Sequence, residues 1–350
     1  MNNKLLDIII EDFKIGLNNK PFIIAEMSGN HNQSLERALA IVDAAAKAGA
    51  NALKLQTYTP DTMTIKGAIS VENKESLWFG RELYELYQEA YTPWEWHKPI
   101  FERAKALGMV AFSTPFDETA VDFLEELGVG AYKIASFENT DWPLLEKVAK
   151  TGRPVIMSIG AATLSEIDEA VRILRTNGCN ELILLKCTST YPASPASTNL
   201  NTIPHLREMF KCHVGLSDHT MGIGVAVASV GLGASVIEKH FTLRRSDGGV
   251  DSAFSIEPEE LAALVVESNN AFLALGEIQY GIHESEKESL KFKRSIYIVK
   301  DIQAGEKFTK ENTRVIRPGN GLAPRYFNNI LGKVSGSIIK AGTPLTWDLL

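Results

Sequence analysis

The sequence has few cysteines, no long apolar run and no excess of basic residues. Its three cysteines, Cys179, Cys187 and Cys212, are spread over the second half of 350 residues and show no CxxC spacing. We therefore expect free, buried thiols and a cytoplasmic location rather than a disulfide-linked secreted fold. No apolar run reaches the ~18 residues that a membrane helix needs. The apolar start of the chain breaks at Glu11-Asp12 without a signal-peptide cleavage site. Because the sequence shows neither a membrane helix nor a signal peptide, we expect the protein to have no membrane partner.

The charge balance is acidic, which argues against binding to nucleic acid. Lysine and arginine number 36 against 43 aspartates and glutamates, so the formal net charge is −7. Any affinity for anions must therefore come from a local site and not from the overall charge of the chain. Apolar residues make up 45% of the chain, enough for a large core. The length suits one barrel of ~250 residues with a small additional domain.

Short apolar segments of strand length alternate with segments of helical periodicity along residues 22–275. The predicted strands are 22–27, 52–57, 110–114, 131–136, 155–159, 182–188, 214–217 and 235–241. The predicted helices include 34–47, 118–127, 142–150, 165–177, 222–232 and 258–275. Such alternation implies a parallel sheet. Eight units favour a closed (β/α)8 TIM barrel over an open doubly wound sheet, and no GxGxxG motif follows the first strand to indicate dinucleotide binding.

The chain changes character after Gly276. We expect a barrel domain over residues 1–276, a charged linker over 277–293 and a small compact domain over 294–350. A unit of roughly 60 residues has a marginal core. The small domain should therefore pack on a partner, either its own barrel or another subunit.

One connection, residues 58–92, is unusually long and carries Trp78, Tyr84, Tyr87 and Tyr91. Long loops at the carboxyl ends of barrel strands are often lids or substrate-binding insertions. A packed surface excursion is the alternative interpretation.

Two histidines are the candidate metal ligands. His219 and His240 each end a predicted strand, in Ser217-Asp218-His219 and Glu238-Lys239-His240. A lone histidine is more often a hydrogen-bonding residue than a ligand, but two on adjacent strands with carboxylates beside them favour a metal. Imidazoles with oxygen ligands suit Mn²⁺, Mg²⁺ or Zn²⁺.

Two lysines are expected to face the barrel interior. In the run Leu53-Lys54-Leu55-Gln56, Lys54 and Gln56 alternate with apolar residues, and Lys133 is placed similarly in its strand. A buried lysine needs a partner. That partner is either a bound carboxylate or phosphate, or an internal salt bridge with Glu26 or Glu138.

Other polar residues also end predicted strands. Glu26 is a candidate acid/base or substrate-holding group, with charge balance for Lys54 as the alternative. Lys186 is a candidate Schiff-base nucleophile. Hydroxyl groups recur at the strand ends, which suits a polyol or phosphate ligand; they belong to Ser113, Thr114, Ser136, Ser158, Ser189, Thr190 and Tyr191.

Taken together, these motifs resemble the sialic acid synthase family over nearly the whole chain. The residues that carry the resemblance are Ile23-Ile24-Ala25-Glu26, Gly29-Asn30-His31-Asn32, Lys54-Leu55-Gln56-Thr57, Tyr132-Lys133-Ile134-Ala135-Ser136, Leu185-Lys186-Cys187-Thr188-Ser189-Thr190-Tyr191-Pro192, Gly215-Leu216-Ser217-Asp218-His219 and Ile237-Glu238-Lys239-His240-Phe241. The segment Arg317-Pro318-Gly319-Asn320-Gly321-Leu322 resembles that family's antifreeze-like (SAF) domain.

Within the family, the segments Leu83-Tyr84-Glu85-Leu86-Tyr87 and Thr92-Pro93-Trp94-Glu95-Trp96-His97 resemble the branch that makes pseudaminic acid. Ser189 stands where N-acetylneuraminate synthases carry an asparagine that contacts the sugar. Val250-Asp251-Ser252 stands where they carry Asp-His. Both departures argue against N-acetylmannosamine as the substrate.

The resemblance implies condensation of phosphoenolpyruvate with open-chain 2,4-diacetamido-2,4,6-trideoxy-L-altrose, giving pseudaminic acid and phosphate. It implies a divalent ion on His219 and His240, with Mn²⁺ favoured over Mg²⁺ or Co²⁺. The implied catalytic residues are Glu26, Lys54, Lys133 and Asp251. The implied substrate-binding residues are Gln56, Thr114, Ser136, Glu138, Ser158, Ser189, Tyr191, Ser217 and Arg317. In family members the corresponding arginine reaches the other subunit's sugar, which implies a domain-swapped homodimer.

Four alternatives remain open at the level of sequence. An N-acetylneuraminate or legionaminate synthase would use another N-acetylated amino sugar. A Schiff-base aldolase would use a barrel lysine. A 3-deoxy-heptulosonate-type synthase would share the phosphoenolpyruvate chemistry but would not account for the SAF-like segment. A non-enzymatic sugar-binding protein would have no need of His219 and His240.

Overall fold

The structure, a computed structural model, describes residues 5–350, which divide into two compact units. The first unit extends to Gly276 and the second is Glu277–Leu350. The strands of the described chain are β1 (Ile8–Ile10), β2 (Phe13–Ile15), β3 (Phe22–Glu26), β4 (Ala52–Thr57), β5 (Val110–Pro115), β6 (Tyr132–Ile134), β7 (Val155–Ser158), β8 (Leu182–Cys187), β9 (His213–Asp218), β10 (Val236–His240), β11 (Ser295–Ile298) and β12 (Thr313–Ile316). The α-helices are α1 (Leu35–Ala48), α2 (Pro60–Met63), α3 (Leu83–Ala90), α4 (Trp94–Ala106), α5 (Glu118–Leu127), α6 (Trp142–Lys150), α7 (Leu164–Thr176), α8 (Thr202–Phe210), α9 (Gly224–Gly231), α10 (Pro258–Leu275) and α11 (Phe327–Ile330).

Strands β3 to β10 form a closed parallel barrel, in the order β10-β3-β4-β5-β6-β7-β8-β9. Each of the eight predicted strands is present with bounds shifted by at most two residues at either end. The predicted barrel is therefore confirmed. The register pairs Glu26 with both His240 and Lys54 on the neighbouring strands. Three candidate site residues consequently lie in adjacent positions at one end of the barrel.

Local signals in the sequence explain where the helices begin and end. The side chain of Asp117 accepts hydrogen bonds from the backbone of Thr119 and Ala120 at the start of α5, and Gly128 ends that helix in a left-handed conformation. Helix α7 begins one residue before its predicted start, because Thr163 and Glu166 form a reciprocal capping box.

A hairpin of β1 and β2 precedes the barrel, in a segment for which no strand was predicted. Ile8, Ile10 and Ile15 are buried in the same core as barrel residues such as Phe22 and Val110. Each strand has only three residues, too few for a reliable alternating pattern. Their burial stabilises the hairpin through packing on the barrel.

The long connection between β4 and α4 is ordered. It contains α2 and α3, and the backbone N–H groups of Val71 and Leu83 donate to the carbonyls of Arg81 and Ile69, at 2.9 and 3.0 Å. The amide of Gln33 donates to the carbonyls of Glu89 and Tyr91, at 2.9 and 2.8 Å. We call residues 58–92 the insertion.

The second unit has its own small core. Strands β11 and β12 pair antiparallel, and Ile296, Ile298 and Phe308 are buried with apolar residues from the following segments. Residues 277–293, predicted to be a linker, belong to this unit and include a 3-10 helix over Glu284–Phe292. No helix within residues 5–350 is long and apolar enough to cross a membrane.

Candidate active site

Alternation along the strands brings the predicted lysines into the barrel. The amine of Lys54 donates to Thr114 Oγ1 at 3.0 Å and forms an ion pair with Glu26, while Leu53 and Leu55 are buried among residues of the surrounding helices. Lys133 lies 3.6 Å from Glu238. The predicted inward orientation of Lys54 is therefore correct.

Each buried lysine has a carboxylate beside it. Glu26, Lys54, Lys133 and Glu238 are all at most 5% exposed, and Lys54 also lies 3.9 Å from Glu238. Of the two internal partners considered for Lys54, Glu26 forms the ion pair, whereas no direct ion pair joins Glu138 to either lysine in the described chain. Two positive and two negative groups thus balance at the centre of the barrel, and we call them the charged cluster.

Burial and neighbouring charge act in opposite directions on the two carboxyl groups of this cluster. Burial raises the pKa of Glu26 to about 7, although Lys54 opposes the change. Burial would also raise the pKa of Glu238, but Lys133 and Lys54 outweigh it and lower that pKa. Near neutral pH, Glu26 can therefore exchange a proton while Glu238 stays ionised. This division is typical of acid/base sites.

The two lysines also differ in their electrostatics. Burial lowers the pKa of Lys133. The pKa of Lys54 is raised because Glu238 and Glu26 together outweigh the effect of burial.

His219 and His240 lie side by side, with ring centroids 5.4 Å apart. Tyr191 packs on both, at 4.4 Å from the His219 ring and 6.2 Å from the His240 ring. Burial, reinforced by His219 and nearby lysines, lowers the pKa of His240 far below its usual value, so this imidazole is neutral.

The pair fits a divalent ion as two ligands of an otherwise open site. Nδ1 of His219 lies 3.0 Å from the carbonyl oxygen of Thr188, which can only accept, so in the neutral ring Nε2 carries the free lone pair. Nδ1 of His240 is buried without a hydrogen-bond partner. Within residues 5–350, no group of three or more histidine, cysteine, aspartate or glutamate side chains is arranged to hold a metal. An ion at this pair would therefore need oxygen ligands from substrate or water.

Of the predicted hydroxyl groups, those of Thr114 and Ser217 contact the charged cluster, whereas Ser113 Oγ lies 2.6 Å from Thr57 Oγ1. Ser217 donates to Glu238 Oε1 at 3.3 Å, and Ser136 accepts from the backbone N–H of Gly160 at 3.1 Å. The hydroxyl of Ser158 is buried without a partner. A Cβ at Gly160 would lie 2.2 Å from Ser189 Oγ and 2.7 Å from Ser136 Oγ, so this close approach requires glycine. A small anion would find several donors here.

The other predicted site residues line a cavity of about 360 Å³ above this cluster. Gln56, Glu138, Tyr191, His240 and Asp251 all contribute to its wall. Gln56 donates to Glu26 Oε1 at 3.1 Å. Burial raises the pKa of Glu138 to about 7. Asp251 is buried and accepts a hydrogen bond from Ser28, and burial raises its pKa.

Two predicted residues lie elsewhere. The amine of Lys186 donates to the carbonyl oxygen of Cys187 at 2.8 Å and to Thr188 Oγ1 at 3.3 Å, and Lys186 is absent from the wall of the central cavity. Its geometry therefore does not favour a Schiff-base role. Arg317 is exposed and belongs to the second unit, so its reach into a barrel stays a prediction.

Glu238 and Ser28 also belong to the site, although they were not predicted as site residues from the sequence. Glu238 stands two residues before His240 on one strand, so it faces the same side of the barrel. Alternation could have identified it. Ser28 contacts Asp251 across 223 residues of sequence, which no local pattern indicates.

A closed (β/α)8 barrel with lysines, carboxylates and imidazoles at the carboxyl ends of its strands has the architecture of a barrel enzyme. Comparison with known proteins defines the family. Residues 41–280 match the NeuB family and residues 293–350 match the SAF domain. The chain therefore belongs to the NeuB family, and the resemblance drawn from its motifs is confirmed.

Its relatives include named synthases. A pseudaminic acid synthase of Campylobacter jejuni is 45% identical over 329 residues, which cover 93% of this chain and 95% of the relative. One of Helicobacter pylori is 42% identical over 333 residues, covering 94% and 97%. The crystal structure of an N-acetylneuraminic acid (sialic acid) synthetase from Leptospira borgpetersenii serovar Hardjo-bovis superimposes with a TM-score of 0.74 at 35% identity, covering 83% of this chain and 98% of that one.

Proposed function

We propose that this chain is a pseudaminic acid synthase. It condenses phosphoenolpyruvate with open-chain 2,4-diacetamido-2,4,6-trideoxy-L-altrose and water, giving pseudaminic acid and phosphate. The observation that carries the proposal is the 45% identity to a pseudaminic acid synthase over 93% of the chain. The charged cluster supports it, because phosphoenolpyruvate carries two anionic groups, a phosphate and a carboxylate, and the cluster offers two buried lysines.

Phosphoenolpyruvate would bind at the charged cluster. Its phosphate and carboxylate would be held by Lys54 and Lys133, with hydrogen bonds from Thr114, Ser136, Ser158 and Ser217. Because burial raises the pKa of Glu26 to about 7, protonation of this carboxyl near neutral pH would remove its ion pair with Lys54 and leave that lysine 3.9 Å from Glu238. A substrate anion can then take the place of the Glu26 carboxylate.

The sugar would occupy the cavity above, which is lined by Gln56, Glu138, Tyr191 and Asp251, and Ser189 would also contact it. A divalent ion held by His219 and His240, with Mn²⁺ favoured over Mg²⁺ or Co²⁺, would supply Lewis-acid polarisation of an aldehyde when bound. Glu26 would give a proton to the oxygen that becomes the new hydroxyl, and its register partner His240, which borders the cavity, supports this role.

Water is the third reactant, and with it the bonds that form and break are balanced. A carbon–carbon bond forms between the phosphoenolpyruvate methylene and the sugar aldehyde carbon. Water adds to C2 of the phosphoenolpyruvate unit, and the C2–O bond to phosphate then breaks. Lys54 and Lys133 would hold the negative charge of the departing phosphate, as preorganised cations do in other sites.

The assembly and location are part of the same proposal. Arg317, in its Pro/Gly loop, would enter the barrel of a second subunit, so the active enzyme would be a domain-swapped homodimer. The buried free thiols Cys179, Cys187 and Cys212 agree with a cytoplasmic enzyme.

Phosphate release from phosphoenolpyruvate across a panel of amino sugars tests the assignment. We expect turnover with the diacetamido-trideoxy-altrose and poor turnover with N-acetylmannosamine. Comparable kcat/KM for both sugars would assign the chain to N-acetylneuraminate or legionaminate synthesis instead. No phosphate release with any sugar would remove the enzymatic proposal.

A further inference from the structure

The cavity above the charged cluster has one polar side and one apolar side. Its polar side carries residues already described, among them Gln56, Glu138 and Asp251. Its apolar side comes mainly from the insertion, and we call this side the apolar wall; it consists of Met63, Val71, Trp78, Leu83 and Tyr87. A single long connection therefore supplies most of the nonpolar surface that a bound sugar would meet.

Hydrogen bonds hold the tip of the insertion over the cavity. The backbone N–H of Val71 donates to Arg81 at 2.9 Å and its carbonyl accepts from Gly80 at 2.9 Å, which closes the segment that contains Trp78. Nε1 of Trp78 donates to the carbonyl oxygen of Val250 at 3.0 Å. This bond ties the tip to the residue that immediately precedes Asp251.

The Trp78 ring also packs against aromatic residues of the barrel loops. Its centroid lies 6.1 Å from that of Tyr191 and 6.5 Å from that of Phe254. Tyr191 in turn contacts both candidate metal ligands. The apolar wall is thus continuous with the candidate active site.

An apolar surface next to polar catalytic groups discriminates between sugars by their methyl and hydroxyl groups. A hydroxyl that is buried against it loses its bonds to water without replacement, whereas a methyl group gains by burial. The proposed sugar carries two acetamido methyl groups and a C6 methyl. N-acetylmannosamine carries one acetamido methyl and a C6 hydroxymethyl group.

We propose that the apolar wall is the specificity determinant for an acylated deoxy sugar, with Trp78 as its central residue. This proposal rests on the proposed function. The apolar wall would be the part of the chain that recognises the sugar. The wall would contact the C4 acetamido and C6 methyl groups. Phosphoenolpyruvate, which would bind at the charged cluster, should not depend on it.

The experiment measures kcat and KM for both sugars and for phosphoenolpyruvate in four variants. Trp78→Ala removes the ring, while Trp78→Phe keeps an apolar ring but loses the hydrogen bond to Val250. Val71→Thr places a hydroxyl in the wall with little change of shape. Phe79→Ala is the matched control, because this neighbouring aromatic residue is 51% exposed and lies outside the cavity wall.

We expect Trp78→Ala to reduce the preference for the diacetamido sugar by roughly tenfold or more, since one methylene group alone can give 10–200-fold discrimination. Val71→Thr should reduce it in the same direction, and Trp78→Phe should retain more of it than Trp78→Ala. Phe79→Ala should keep the wild-type preference. The KM for phosphoenolpyruvate should stay within about twofold throughout, which a general disruption of the barrel would not allow.

Two results would overturn the inference in distinguishable ways. If wild-type protein prefers the diacetamido sugar and both Trp78→Ala and Val71→Thr keep that preference, the wall does not select the sugar and the proposed function stands. If wild-type protein turns over no diacetamido sugar, the proposed function fails and the inference fails with it. Should Trp78→Ala not fold, Val71→Thr alone decides, because it preserves the side-chain volume.

Discussion

Replacing His97 with glutamine should change how the stability of the barrel depends on pH. His97 is fully buried on α4, with Nε2 2.8 Å from Thr57 Oγ1, which lies 2.6 Å from Ser113 Oγ. Burial lowers the pKa of His97 from the usual 6.5 to about 4, although backbone hydrogen bonds oppose the change. The folded protein therefore holds a neutral ring where the unfolded chain would accept a proton.

The sign follows from the lowered pKa. At pH 7.5 neither the folded nor the unfolded state binds the proton, so protonation of His97 does not change the free energy of unfolding. As the pH falls from 6.5 towards 4, only the unfolded chain takes up the proton, and stability is lost. The loss attributable to His97 is about 2 kcal/mol at pH 5 and about 3 kcal/mol below pH 4.

Wild-type protein alone cannot reveal this contribution, because Glu26 and Glu138 act in the opposite direction. Burial raises the pKa of each to about 7, so the folded state binds protons more readily and gains stability as the pH falls from 7 towards 4.5. A comparison of wild type with one variant cancels these terms, since the variant retains both carboxyl groups.

The assay is urea unfolding of wild type and His97→Gln at pH 7.5 and 5.0, followed by tryptophan fluorescence, to which the adjacent Trp94 and Trp96 contribute. The variant should be less stable at pH 7.5, where it loses the ring's packing and its hydrogen bond. The deficit should shrink by about 2 kcal/mol at pH 5. Ser113→Ala is the control, since it breaks the same network without removing the ring, and its deficit should be similar at both pH values. An equal deficit for His97→Gln at both pH values would refute the reasoning.

Two further predictions concern the metal and the assembly. EDTA should abolish activity and Mn²⁺ should restore it. In direct titration of the protein, His219→Ala should bind Mn²⁺ at least ~10–100-fold more weakly, whereas the control His205→Ala, at an exposed histidine, should bind it normally. Full activity of chelated His219→Ala protein would exclude the metal role. Mixing inactive Arg317→Ala and Lys133→Ala subunits should restore up to about half of the activity per heterodimer, because one barrel would combine its own Lys133 with an intact Arg317 from the other chain. Absence of recovery after confirmed subunit exchange would mean that Arg317 serves its own barrel or has no catalytic role.

Much of the fold could be predicted because each barrel unit carries its own signals. Strand length, helical periodicity and caps such as Asp117 and Gly128 lie within a few residues of the element they define. The hairpin of Ile8–Ile10 and Phe13–Ile15 could not be predicted in this way. Its strands are stabilised by a core formed from distant parts of the chain, and three residues are too few to show a period.

The same distinction between local patterns and long-range packing applies to the candidate site. Alternation within a strand predicts that Lys54 and Gln56 face inward together, and the same rule applies to Glu238 and His240. It also explains why Lys239 and Asp218, each adjacent to a candidate ligand, do not enter the site: their side chains are 1% exposed and pair with each other at 2.8 Å on the other side of the strands. This ion pair joins β9 to β10 directly beside His219 and His240, and Lys239 also donates to the carbonyl oxygen of Thr220 at 2.6 Å.

Alternation does not predict the carboxylate partner of each inward lysine, because that partner depends on distances between strands. Glu26 and Glu138 were both reasonable partners for Lys54 from the sequence, and only the register that places Glu26 opposite Lys54 decides between them. The partner of Lys133, Glu238, lies more than 100 residues further along the chain. A strand's pattern therefore shows which residues face the site, whereas the closure of the barrel determines which charges meet there. The raised pKa of Glu26 follows from that closure, since it is burial at the centre of the barrel that raises it.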